Sequence, residues 1–155
     1  MHPENLSLKE LLSLCRRAEQ VCLLRLERIR EASDATDRPL HELFDDLAAE
    51  QRNHVSSIEL YEVRTPRPET WFLDPAQAER FVLLRLPTVS RGFGEAPLDR
   101  DLALFFAESL EEEAARFYRA LSEHAPDGES RSFFLNMAER GRCSLDHLRQ
   151  VVLQG

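Results

Sequence analysis

Leu110-Glu111-Glu112-Glu113-Ala114-Ala115-Arg116-Phe117-Tyr118 lies inside a stretch, Asp99 to His124, that contains neither glycine nor proline. Nothing there breaks a helix, so the stretch predicts one over residues 99–124. Pro126-Asp127-Gly128 then makes a turn. Beyond it, Phe133, Phe134, Met137, Leu148 and Val151 recur at helical spacing, which predicts a further helix over 128–153. Two long helices joined by so short a turn are antiparallel neighbours. The N-terminal half repeats the pattern. Ser7-Leu8-Lys9-Glu10 reads as a capping box, in which the Ser hydroxyl takes an orphan backbone N–H and the Glu reaches back. Leu8, Leu11, Leu12, Cys15, Cys22, Leu26 and Ile29 follow at helical spacing, giving a helix over 7–32. The polar run Ser33 to Asp37 ends it, and Pro39 opens a second helix over 37–62 with Leu40, Leu43, Phe44, Leu47, His54, Val55 and Ile58 on one side.

Five of the eight prolines fall between Pro66 and Pro97, so residues 63–98 read as a punctuated crossover. Within it, Asp74-Pro75 resembles a helix start, and a short helix to Leu86 would be stopped by Pro87. No segment alternates with a period of two. The expected fold is therefore all-α: one domain over 1–155, an up-down four-helix bundle with a long crossover containing a short helix between helices 2 and 3.

The charge balance narrows the function. Twenty basic residues against 28 acidic ones give a net charge of −8, which argues against a general nucleic-acid binder. Nothing approaches the roughly 20 consecutive apolar residues of a membrane span, and the mixed-charge N-terminus is unlike a secretory signal. Three widely spaced cysteines point to free thiols in a reducing cytoplasm, with Cys15, Cys22 and Cys143 as small buried residues. Trp71-Phe72-Leu73, with Phe81 and Leu84, would close one end of the bundle or form a homodimer contact. No motif names a redox partner.

The two hairpins carry polar residues at matching heights. Glu19 lies sixteen residues before the first turn, and Gln51 and His54 lie sixteen and nineteen after it. Glu111 lies fifteen residues before the second turn, and Gly141 and Ser144 lie fifteen and eighteen after it. In antiparallel hairpins these positions share one level. Four-helix carboxylate proteins hold two metal ions at such a level, with one Glu from each of two helices and a Glu-x-x-His from each of the others.

On these residues the chain resembles the ferritin-like superfamily, and most closely its rubrerythrin branch. Glu111 followed seven residues later by Tyr118 in a Phe-Tyr pair matches that branch's third helix. Leu47 to His54 resembles its second helix, and Phe134 to Leu148 its fourth. The resemblance spans about 120 residues, all but the crossover. It implies Glu19, His54 and Glu111 as metal ligands, iron or another divalent ion as cofactor, and Tyr118 as a hydrogen-bond donor to a site carboxylate.

The departures from the family pattern are as informative. Gln51 stands where helix 2 should carry a Glu, and Gly141 and Ser144 stand where helix 4 should carry a Glu and a His. Both bridging carboxylates are among the losses, and no rubredoxin-like Cys-x-x-Cys pair follows. Two carboxylates and one imidazole cannot balance two divalent ions. They suffice for one ion or none, because the amide of Gln51 is a weak ligand for hard cations. Without metal, the buried carboxylates need a partner, either a protonated His54 or an inward-reaching Arg140 or Arg142.

Three functions follow as expectations. The first is a rubrerythrin-like protein with a degenerate di-metal site, binding at most one metal ion and lacking efficient di-iron oxidase activity. The second is an active di-iron oxidoreductase, reducing peroxide or O₂, with Glu50, Glu139 or His147 as substitute ligands. The third is a metal-free structural or partner-binding bundle using the crossover or the space near Gly141.

Overall fold

The computed structural model describes residues 8–64, 98–123, 125 and 128–154. They form four helices: α1 (Leu8–Ala32), α2 (Arg38–Arg64), α3 (Arg100–Glu123) and α4 (Gly128–Gln154). No strand occurs among the described residues, where the one β-type contact is an isolated parallel bridge between Ser33 and Leu98. No helix of the described residues is long and apolar enough to cross a membrane. The capping Ser7, the crossover helix expected before Pro87, and the aromatic residues assigned to a homodimer contact all lie outside the described residues.

Local chemistry sets the helix starts. The carboxylate of Asp37 accepts the backbone N–H of Leu40 at 3.2 Å, and that of Asp99 accepts the N–H of Leu102 at 2.8 Å. Each satisfies a donor that the first helical turn leaves orphaned. Asp34 holds the α1–α2 turn by accepting both the N–H and the hydroxyl of Thr36. The Arg100 guanidinium then grips Asp37 at 3.1 and 3.2 Å, and the Leu98 N–H donates to the Ala32 carbonyl at 2.7 Å. The end of α1 and the starts of α2 and α3 are thereby fastened at one end of the bundle.

Pairings along the helices give their directions. Arg16–Glu62, Glu27–Arg52 and Arg30–Asp45 run down α1 while climbing α2, so the two are antiparallel. Arg149–Glu108, together with the approach of Gly141 to Ala115, makes α3 and α4 antiparallel as well. The hairpins join through α1 against α3 and α2 against α4. Because α2 finishes beside the end of α3, the two run the same way on a diagonal. Arg64 and Leu98 therefore lie at opposite ends of the bundle.

The apolar core is divided in two. At the fastened end, Leu26, Ile29, Phe44, Leu47, Leu104 and Leu110 pack with Leu148. At the other, Leu11, Ile58, Phe117, Tyr118 and Phe134 pack with Met137. Between these two clusters, the stripe at i, i+3 and i+4 is interrupted on every helix at the same level. That level is the polar layer described next.

A buried carboxylate–imidazole layer and its cleft

Each helix contributes to the layer by interrupting its own apolar stripe. On α1 the break falls at Glu19, between Cys15 and Cys22, which belong to opposite core clusters. On α2 it falls at Gln51 and His54, between Leu47 and Ile58; on α3 at Glu111, just past Leu110. On α4 it falls at Gly141 and Ser144, between Ala138 and Leu148. Glu19 is 0 % exposed, Glu111 2 % and His54 6 %. So deep a pair of carboxylates is costly unless charge and hydrogen bonds compensate.

Compensation comes from inside the protein. His54 Nδ1 faces Glu19 Oε2 at 3.7 Å, and the Tyr118 hydroxyl donates to Glu19 Oε1. Burial disfavours the His54 imidazolium. The nearby carboxylate of Glu19, with the charge of Glu111, outweighs burial and the opposing charge of Arg140, so the His54 pKa is raised. The buried carboxylates thus favour the protonated form of His54. Tyr118 is itself locked in place by ring contacts with Phe117 and Phe134.

Gln51, Ser144 and Gly141, which the resemblance sets at ligand positions, make other contacts. The Gln51 amide donates to the backbone carbonyl of Glu19 at 3.3 Å, tying α2 to α1. Ser144 donates to Glu50 and also bonds the Arg140 carbonyl at 3.2 Å. At Gly141 an added Cβ would meet Ala115 Cβ at 3.5 Å, so α3 packs close enough to leave room for a methyl group in ordinary contact. Among the described residues, no three His, Cys, Asp or Glu side chains converge closely enough to hold a metal ion. The donor set fits two ions poorly: Glu19 and His54 are in contact, while Glu111 acts on them through its charge.

The proposed substitutes are scattered. Glu139 and His147 are exposed, and His147 borders a separate hollow near Pro39 and Arg100. Arg142 is exposed too, so it does not reach the buried pair. Cys15 and Cys22 are buried, but Cys143 is exposed, contrary to the expectation from sequence. On α4 the inward stripe runs through Met137, Gly141 and Ser144, and position 143 falls beside it.

An open cleft of about 680 Å³ between α2 and α4 reaches this layer. Glu50, His54, Ser57, Arg140 and Ser144 line it, so His54 joins the buried carboxylates to a solvent-facing hollow. Arg140 Nη1 donates to Ser57 Oγ at 2.6 Å instead of turning toward Glu19. Space near Gly141 and Ser144 was expected from sequence, but neither its extent along α2 nor the Arg140–Ser57 contact was. The one available signal was the run of small polar residues Ser56-Ser57 facing Asn136 and Ser144, which cannot fill an interhelical groove. Comparison with protein-family models, with curated proteins and with solved structures finds no significant match to this chain.

Proposed function

We propose that this chain is a ferritin-like bundle of the rubrerythrin type whose di-metal level has become a charge layer satisfied within the protein. It holds at most one divalent ion, iron or another, at Glu19 and His54 with Glu111 nearby, and lacks efficient di-iron oxidase or peroxidase chemistry. One observation carries this reading: His54 and Glu19 face each other at 3.7 Å, while Gln51 and Ser144 bond to other groups and Gly141 packs on Ala115. The end-to-end connection between parallel α2 and α3 supports the ferritin-like assignment, since that superfamily has one such crossover. The burial of Cys15 and Cys22 in opposite core clusters supports a reducing, cytoplasmic setting. The test is anaerobic loading with Fe(II), desalting and elemental analysis. One iron or none per chain is expected, and two per chain would overturn the proposal.

A second reading is a metal-free structural or partner-binding bundle. It is favoured by the Glu19 carboxylate, which already has Tyr118 and His54 as partners. A melting temperature unchanged by chelator supports it, because a bound ion would stabilise the native state by linkage. A fall of several degrees on chelation would reject it.

A further inference from the structure

We infer that the cleft between α2 and α4 binds a small organic monocarboxylate, with the carboxylate on the Arg140 guanidinium and an apolar tail along the adjoining hollow. The cleft, at about 680 Å³, has the volume of a small-molecule site. A second hollow of about 190 Å³ continues it and shares Ser57, Leu60, Asn136 and Arg140 with it. Arg140 therefore stands where the two meet.

Arg140 is prepared as an anion receptor. It is half-buried, and Ser57 fixes one end of its guanidinium at 2.6 Å. Ser57 is itself anchored to the Asn53 carbonyl at 2.9 Å. Arg16, Arg30, Arg52, Arg100 and Arg149 all have carboxylate partners, whereas no carboxylate of the described residues lies within 4 Å of Arg140. Glu50 lines the same cleft but is engaged by Ser144. The remaining guanidinium donors form a planar fork that matches a carboxylate bidentately. His54, nine-tenths buried, closes the inner wall, so the ligand head is shielded from water on that side.

The surroundings select among anions. Glu50 and Glu139 line the cleft, and their charges disfavour a dianion such as phosphate far more than a monoanion. The smaller hollow is apolar on one flank. Tyr61 and Phe133 stack there with centroids 4.1 Å apart, beside Leu60 and Met137. A carboxylate carrying an aryl or short alkyl tail satisfies both parts, and acetate satisfies one.

The probe is 3-phenylpropionate, titrated into the full chain and followed by calorimetry and by amide shifts of α2 and α4, with acetate and inorganic phosphate as comparison arms. Saturable one-to-one binding of 3-phenylpropionate is expected, with acetate weaker and phosphate without saturation. Arg140→Gln should weaken binding roughly tenfold or more, since it removes a charge-assisted bidentate contact. Asn136→Trp, at an exposed position lining both hollows, should block binding while leaving the core alone, and keeps the test decisive if Arg140→Gln folds poorly. No saturable binding of 3-phenylpropionate, wild-type affinity in both variants, or phosphate binding as tightly as the carboxylate would each overturn the inference.

Discussion

Replacing Gly141 by alanine should stabilise this protein, although the residue lies at the centre of the bundle. Two terms have the same sign. A mid-helix glycine is about 0.8–1.0 kcal/mol less favourable than alanine, through the backbone freedom it loses on folding. The new methyl group would be buried against Ala115 Cβ at 3.5 Å, an ordinary van der Waals distance that calls for no backbone movement. Together they give about 1 kcal/mol, or a rise of roughly 2–4 °C in melting temperature for a chain of this size. Gly141→Leu should do the opposite. Its extra atoms must enter space that Ala115 already fills, at a cost of about 1–3 kcal/mol. Thermal and urea unfolding followed by far-UV circular dichroism, in the presence of chelator, measures both. A destabilised Gly141→Ala would show that α3 and α4 have no slack at this level. A neutral Gly141→Leu would show that position 141 faces a void, and either result refutes the packing described here.

Three further outcomes follow. The His54 pKa is raised in the folded state, so its protonation adds stability that is fully present below the ordinary imidazole value of about 6.5 and is lost as pH rises through the higher folded value. Melting temperature should therefore fall across that window, His54→Gln should flatten the fall, and a wild-type profile that rises there would contradict the assignment. Tyr118→Phe removes the hydroxyl donor to a buried carboxylate and should cost about 1.5–3 kcal/mol in urea unfolding at pH 7. An unchanged midpoint would mean that Glu19 is neutralised without Tyr118. Ser144→Ala releases Glu50 at the half-buried edge of the cleft and should cost no more than about 1 kcal/mol, with the far-UV spectrum unchanged.

Periodicity was enough to draw the helices, because an amphipathic stripe and its breakers are local properties. The expected bounds 7–32, 37–62, 99–124 and 128–153 agree with those of α1 to α4 to within two residues at every end. The common level of Glu19, Gln51, His54, Glu111, Gly141 and Ser144 was also legible, since counting residues from a tight turn fixes height in an antiparallel hairpin. Rotation about the helix axis was less legible. Cys143 follows Arg142 and precedes the buried Ser144, and position along the chain does not show which neighbour turns outward.

What the sequence determined by itself is which residues share a level: Glu19, Gln51, His54, Glu111, Gly141 and Ser144, a polar and small set inside an apolar stripe. What only the tertiary structure decided is how the buried carboxylates are compensated. Whether His54 or an arginine would neutralise Glu19 depends on distances between helices that meet across the bundle, and those place His54 at 3.7 Å while Arg140 goes to Ser57. The direction of α3 and the cleft beside α4 have the same origin. Both arise from how two hairpins are fastened at Asp37–Arg100 and Ala32–Leu98, contacts between residues too distant in the chain for any local pattern to record.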